Sequence, residues 1–351
     1  MLHWKGLTLA AALAVLGSTA ASFAQEEAKT IRIGNWLPMH HLIVKGILEP
    51  WAAAIEAETN GSLTFDIMET ALGRPPAYFD LVLDGSVDVG FGVSGHNPGR
   101  FPMTQIMDLP FMSPDPWAGA AAAWATYERY GEQYGEHEGA KVVGLWVHSE
   151  PYIFMREGQE VKTLADLEGK KIRVGGNVTG EIIEALGGTP VQLPPTEAQQ
   201  AMSRDVADGI TFPTESIVFF KITPSVASST RIPGGLYTDT FWLAFNQATW
   251  DGLSDEQKAA VEKHSGMAIA TLAGWAWTNG DTLGRTALDA NDMVWNELPE
   301  SDLEEVRSRL AVLEERWIEA ATAKGLPAEE VLDYARAQAE AYKAEKVVNV
   351  P

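Results

Sequence analysis

Short alternating strands followed by capped or glycine-stopped helices recur twice along this chain, and that rhythm restricts it to an α/β architecture. The first round opens with a strand over Thr30–Trp36 and a loop, Leu37–His41. A helix follows through Trp51 and Ile55 to Thr59, halted by Asn60 and Gly61, then a strand at Leu63–Met68. A helix over Tyr78–Asp84, closed by Gly85, leads to a strand at Val87–Phe91. The second round reads strand Lys171–Val174, helix Glu181–Leu186, strand Thr189–Gln192, helix Thr196–Met202, strand Asp208–Phe212. Between the rounds, Pro110, Pro114 and Pro116 break the chain before an alanine-rich helix around Ala118–Tyr130. Val142–Val147 is then a strand leaving the first round, Tyr152–Met155 one entering the second, and Trp242–Asn246 one returning to the first.

Two α/β lobes joined by more than one crossover make a hinged pair with a cleft between them. The expected division is residues 25–150 plus about 239–280 for one lobe, and 151–238 plus about 281–351 for the other. The C-terminal part is helical. Ser254 and Gln257 have capping-box spacing, as do Ser301 and Glu304. Leu303, Val306, Leu310, Leu313 and Trp317 share one helix face, a stripe too short for a coiled coil and suited to docking on the rest of the chain.

The first 24 residues read as a signal peptide. Lys5 supplies the positive start, Leu7–Leu16 the apolar core, and Ser22-Phe23-Ala24 a small-residue cleavage site before Gln25. The apolar run is too short to span a bilayer, no later run reaches the length a span needs, and stable membrane insertion is not expected. The expected location is the periplasm, after cleavage behind Ala24. The chain contains no cysteine, so no disulfide holds it together. A formal net charge of −22 argues against nucleic acid or an anionic membrane surface as partner, while a local cationic pocket remains free to bind an anion.

Such a pocket is signalled by Thr163–Val174, TLADLEGKKIRV. Thr163 and Asp166 frame a capped single turn, Gly169 stops it, and Lys171–Val174 alternates as a strand feeding a new helix. Arg173 thus stands near the carboxyl end of a strand, the crevice where open α/β sheets bind ligands. Its guanidinium is a planar fork matched to carboxylate or phosphate oxygens. Gly175–Gly180 is not a phosphate loop, because Glu181 and Ile182 stand where a Lys-Ser/Thr pair would be needed.

Several pieces, in order over nearly the whole chain, resemble the solute-binding proteins of tripartite ATP-independent periplasmic (TRAP) transporters, the DctP-type family. They are Ala71–Gly73, Leu81–Val89, Pro98–Pro102, Leu109–Phe111, Leu164–Val174, Gly187–Pro190, Ala207–Gly209 and Pro213. The resemblance implies a two-lobed periplasmic-binding-protein (Venus flytrap) fold with long helices bridging the lobes. It also implies that Arg173 forms a bidentate bridge to a ligand carboxylate, and that the closed form is recognised by the transporter's membrane subunits. Two departures matter. The dicarboxylate and sialic-acid binders carry a second arginine whose place falls on Ile153 here, with Arg156 shifted in register. Phe212 takes the position of their asparagine after Asp208-Gly209, and Glu215 lies further on. One charge anchor, and hence a monocarboxylate, is the expectation.

The remaining candidate ligand-binding residues follow strand ends. Trp36 and either His40 or His41, after the first strand, are expected ligand contacts, and an aromatic ring there can stack on a ligand or seal the core. Ser94 follows the third strand, and His148 closes the strand that reaches the hinge. Phe212 and Glu215 flank Pro213, with Glu215 binding a ligand hydroxyl or amine, pairing with Arg173 in the empty state, or lying at the surface. Trp242 stands in the return strand as a cleft, hinge or core aromatic. The adjacent pair His40-His41 is no metal signature, and no cofactor, metal or catalytic residue is expected. No G-x-S-x-G elbow or cysteine nucleophile supports an exported hydrolase, which is the remote reading. The nearer alternative is the same fold binding a neutral or cationic solute.

Overall fold

The computed structural model describes Met1 and residues 28–344; the expected signal peptide lies outside the described residues. Along the chain, β1 (Lys29–Gly34) leads through a π-helical turn into α1 (Glu49–Glu58), followed by β2 (Leu63–Ile67), α2 (Tyr78–Leu83) and β3 (Val89–Val93). Next come α3 (Pro116–Tyr134), β4 (Ala140–Val147), β5 (Tyr152–Met155), β6 (Lys171–Val174), α4 (Asn177–Ala185), β7 (Thr189–Gln192), α5 (Pro195–Ser203) and β8 (Gly209–Phe212). Then α6 (Thr214–Phe219), β9 (Ser228–Arg231), β10 (Thr240–Asn246), α7 (Gln247–Asp251), α8 (Asp255–Lys263) and α9 (Met267–Asp289) follow. The chain closes with β11 (Val294–Glu297), α10 (Glu300–Ala323) and α11 (Ala328–Ala344).

The strands form two sheets. One has the order β2-β1-β3-β10-β4, the other β11-β9-β5-β8-β6-β7. β1 is parallel to β2 and β3, whereas β10 enters antiparallel between β3 and β4. In the second sheet β6 is parallel to β7 and β8, and β5 enters antiparallel between β8 and β9. The chain passes between the sheets three times, at β4–β5, β9–β10 and α9–β11. The return strand at 242–246 therefore joins the first sheet as its spacing predicted.

Local chemistry sets many boundaries. Asp115 accepts the Ala118 N–H at 2.7 Å and Pro116 occupies the first turn of α3, while Gly135 at φ 60° ends it. The capping boxes at Thr163/Asp166 and Ser254/Gln257 both form. The one expected at Ser301 does not: α10 already starts at Glu300 behind Pro299, and the Asp302 carboxylate instead accepts the Leu164 N–H at 2.7 Å. The α10 stripe from Leu303 to Trp317 is buried throughout. Its Trp317 indole N–H donates to the Pro102 carbonyl at 3.0 Å, and Arg316 pairs with Glu181 of α4, so α10 touches both lobes. Helix α9 does the same, packing on α3 and β4 on one side and on α6 on the other.

Candidate functional site

Arg173 is completely buried. Its Nε and Nη2 donate to the Leu193 carbonyl at 3.0 and 2.5 Å, and its guanidinium lies 4.3 Å from the centre of the Phe212 ring. Nη1 has no partner. Burial lowers its pKa to about 10, partly opposed by Tyr237 and Asp239, so at neutral pH it remains a cation. An enclosed cation with an unused donor is costly unless an anion arrives to pair with it.

The arginine opens into a cavity between the sheets with about 410 Å³ of empty space. The walls are aromatic: Trp36, Phe212, Phe220, Phe241 and Trp277. These rings are themselves fixed. Trp36 stacks on Phe91 at 5.4 Å and donates its N–H to the Phe91 carbonyl at 3.0 Å. Phe241 stacks on Trp146 at 5.4 Å, and Phe212 on Phe220 at 5.8 Å. Trp36 and His96 follow β1 and β3, whereas Arg173 and Phe212 end β6 and β8, so carboxyl ends of parallel strands from both sheets meet here.

The polar groups beside Arg173 are few and buried. His148 Nδ1 lies 2.6 Å from the Ser149 carbonyl and carries the proton to it, because Nε2 accepts the Asp239 main-chain N–H at 2.9 Å. The Asp239 carboxylate has only long contacts, 3.4 Å to the Thr179 hydroxyl and 3.4 Å to His148 Nε2. Burial pushes its pKa up, and the Arg173 guanidinium facing it opposes that rise. Asp108 is pushed well above its ordinary value by burial and by Asp239, although Thr240 and Gln105 donate to it. Burial lowers His96 to about 4 and His41 to about 3, so both rings are neutral near pH 7, and His96 Nδ1 has no partner.

Of the residues picked out from sequence, Arg173, Trp36, His148 and Phe212 line this cavity. The other four do not. His40 is exposed and stacks on Phe219 at 5.8 Å; its neighbour His41 turns inward instead. Trp242 points to the opposite face of β10 from Phe241, as strand alternation requires, and packs edge-on to Phe79 at 5.1 Å. Ser94 is buried with an unpartnered hydroxyl but lies off the cavity, while His96 reaches it two residues later. Glu215 makes no ion pair with Arg173. The start of α6 carries it onto α9, where it accepts from Ser216 and leaves Oε2 unpartnered. It lines a separate apolar groove of about 970 Å³ with Leu42, Phe219, Trp275 and Leu283. That groove is roomier, but Lys45, the one cation lining it among the described residues, is already paired with Glu49, so it offers no carboxylate anchor comparable to Arg173.

Of the alternatives His40 and His41, it is His41 that lines the cavity. Sequence reasoning missed His96, Asp239, Phe241 and Trp277. For two of them a signal existed one or two residues away, at Ser94 and Trp242, and the strand and turn phase decided otherwise. Asp239 and Trp277 had none. Among the described residues no cluster of His, Asp and Glu is arranged to hold a metal, and no helix is long and apolar enough to cross a membrane.

Two α/β sheets with a buried cation in an aromatic-walled cavity between them suit the capture of a small anionic solute. The chain belongs to the DctP family, bacterial extracellular solute-binding protein family 7, whose model matches residues 33–321. It is similar to a TRAP periplasmic solute-binding protein from Bordetella bronchiseptica solved with bound (R)- and (S)-mandelate. The identity is 34%, over 89% of this chain and 99% of that one, with a TM-score of 0.86. It also resembles a marine metagenome TRAP solute-binding protein specific for aromatic acids, solved with 3-hydroxybenzoate. There the identity is 30%, the coverage 91% and 100%, and the TM-score 0.85. A curated relative, the outer membrane transporter protein TsaT of Comamonas testosteroni, is 25% identical over 91% of this chain and 94% of its own length. The chain is thus a TRAP-type solute-binding protein, a member of a binding and not an enzyme family.

Proposed function

We propose that this protein is the periplasmic receptor of a TRAP transporter for an aromatic monocarboxylate. The observation that carries the reading is the fully buried Arg173 guanidinium, whose Nη1 is unpartnered inside an aromatic-walled cavity. The carboxylate docks on Arg173, the ring lies among Trp36, Phe212 and Phe241, and the two lobes, divided near residues 150, 239 and 280, close over both. The closed form is then read by the transporter's membrane subunits. The single arginine suits one carboxylate, and the relatives' mandelate and 3-hydroxybenzoate are both aromatic acids with one.

The test is a thermal-shift screen of purified protein against aromatic and aliphatic carboxylates, amines and sugars, followed by calorimetry on the hits. A ligand at a hundred times its Kd raises stability by about 2.7 kcal/mol. Arg173→Ala should cost about 2–5 kcal/mol of binding energy, roughly 30- to several-thousand-fold in Kd. Arg173→Lys should also bind poorly, since an ammonium cannot form the fork. A hit list confined to amines or neutral solutes would sink the carboxylate reading.

A further inference from the structure

Asp239 is a second, unused element of the same cavity. Its carboxylate is buried and lines the space beside Arg173, yet neither oxygen has a hydrogen bond of ordinary length. His148 has no proton to offer it, because Nε2 is already accepting the Asp239 main-chain N–H. The two charges flank Gly175: a Cβ built there would lie 3.1 Å from Asp239 Oδ2 and 4.0 Å from Arg173 Nη1. No ion pair joins them directly, so Arg173 keeps a free donor and Asp239 keeps free acceptor sites, side by side. A plain carboxylate satisfies only the first of these and sets a like charge against the second.

We infer that Asp239 selects acids carrying a hydrogen-bond donor on the carbon next to the carboxylate, a 2-hydroxyl or a 2-ammonium group, which it binds while Arg173 holds the carboxylate. The inference rests on the arginine-anchored reading above. A hydrogen bond to a charged acceptor contributes about 1.5–3 kcal/mol, on the order of ten- to a hundredfold in affinity. Leaving the donor out forfeits that and strands a buried carboxylate.

The experiment is calorimetric titration of the intact protein with phenylacetate and its 2-hydroxy, 2-methoxy and 2-amino derivatives. The 2-hydroxy or 2-amino acid should bind at least about tenfold more tightly than phenylacetate, and comparing these two identifies the donor. The methoxy acid, which keeps the oxygen and loses the proton, should gain nothing. In Asp239→Asn the advantage of the donor-bearing acid over phenylacetate should shrink to within about threefold. Equal affinity of the 2-hydroxy, 2-amino and parent acids overturns the inference while leaving the arginine anchor intact. So does a methoxy acid as good as the hydroxy acid, or an undiminished ratio in a folded Asp239→Asn. The three wild-type ligand comparisons stand even if that variant does not fold. Binding of none of the acids would overturn the anchor first and this inference with it.

Discussion

A guanidinium that is fully enclosed, held on one edge by a single carbonyl and bare on the other, is a poor contributor to the stability of the empty protein. Replacing a buried ion pair by apolar side chains is often neutral or stabilising, and a buried cation with no anion against it carries its desolvation cost unrepaid. Arg173→Met should therefore leave the melting temperature of the ligand-free protein unchanged or raise it, while abolishing the shift produced by an acid. A melting temperature several degrees lower would mean that Arg173 is structural and would count against a binding role. At this scale the sequence was legible where local phase placed a rare residue type at a strand end, as with Arg173 and Phe212. It was silent on Asp239, which precedes β10 with no motif around it and gains its meaning only from Gly175 and Arg173, far away in the chain. Trp242 and Phe241 show the limit of strand phase without register: both faces of β10 are buried, so nothing local says which member of the adjacent pair faces the cavity.

The long helix α9 ties the two sheets together, and its glycines explain how. At Gly284 an added Cβ would come within 2.5 Å of the Glu215 main-chain nitrogen and 2.6 Å of its Cα, so α6 rests directly on the α9 backbone. Asp281, one turn earlier, accepts the Thr214 hydroxyl at 2.6 Å and the Glu215 N–H at 3.3 Å, capping α6 from outside. Gly284→Ala must push main chain apart rather than a flexible side chain, and overpacking of this kind costs about 1–3 kcal/mol. Chemical denaturation should show that loss, whereas Leu283→Ala, a control at the exposed neighbouring position, should change stability far less. Equal effects at both positions would refute the close seat of α6. Elements such as α6 and β9 were not legible in advance for a physical reason. β9 reads Ser-Ser-Thr-Arg, three polar residues buried by pairing with β5 and β11, so its strand carries no hydrophobic alternation. The paired rounds of strand and helix were legible because their short strands alternate and caps or glycines mark where their helices start and stop.

Across the whole molecule, closure of the lobes onto α9 leaves ionisable groups in places where charge is unwelcome, and the pH profile of stability follows. Glu215 is 1% exposed, and its pKa is raised to about 8, mainly by burial and further by Asp281, against the Ser216 hydrogen bond. The folded form thus holds a proton that the unfolded chain has released above its ordinary value of 4.5. Stability is then greatest at low pH with respect to this group and declines as pH rises from 4.5 through about 8, by about 1.4 kcal/mol per pH unit. His41 and His96 act with the opposite sign. Their folded pKa values of about 3 and 4 lie below the ordinary 6.5, so their contribution is complete above pH 6.5 and falls away below it. Between pH 6.5 and 8 the histidines are silent and the buried acids decide, so the melting temperature should fall across that window. Glu215→Gln, which keeps the shape and removes the titration, should flatten the decline by about 1.4 kcal/mol per pH unit. Melting curves at half-unit steps from pH 6 to 9 measure this directly. A wild-type melting temperature that climbs across the window, or a variant with the same slope, would show that Glu215 is ionised where it sits between the lobes.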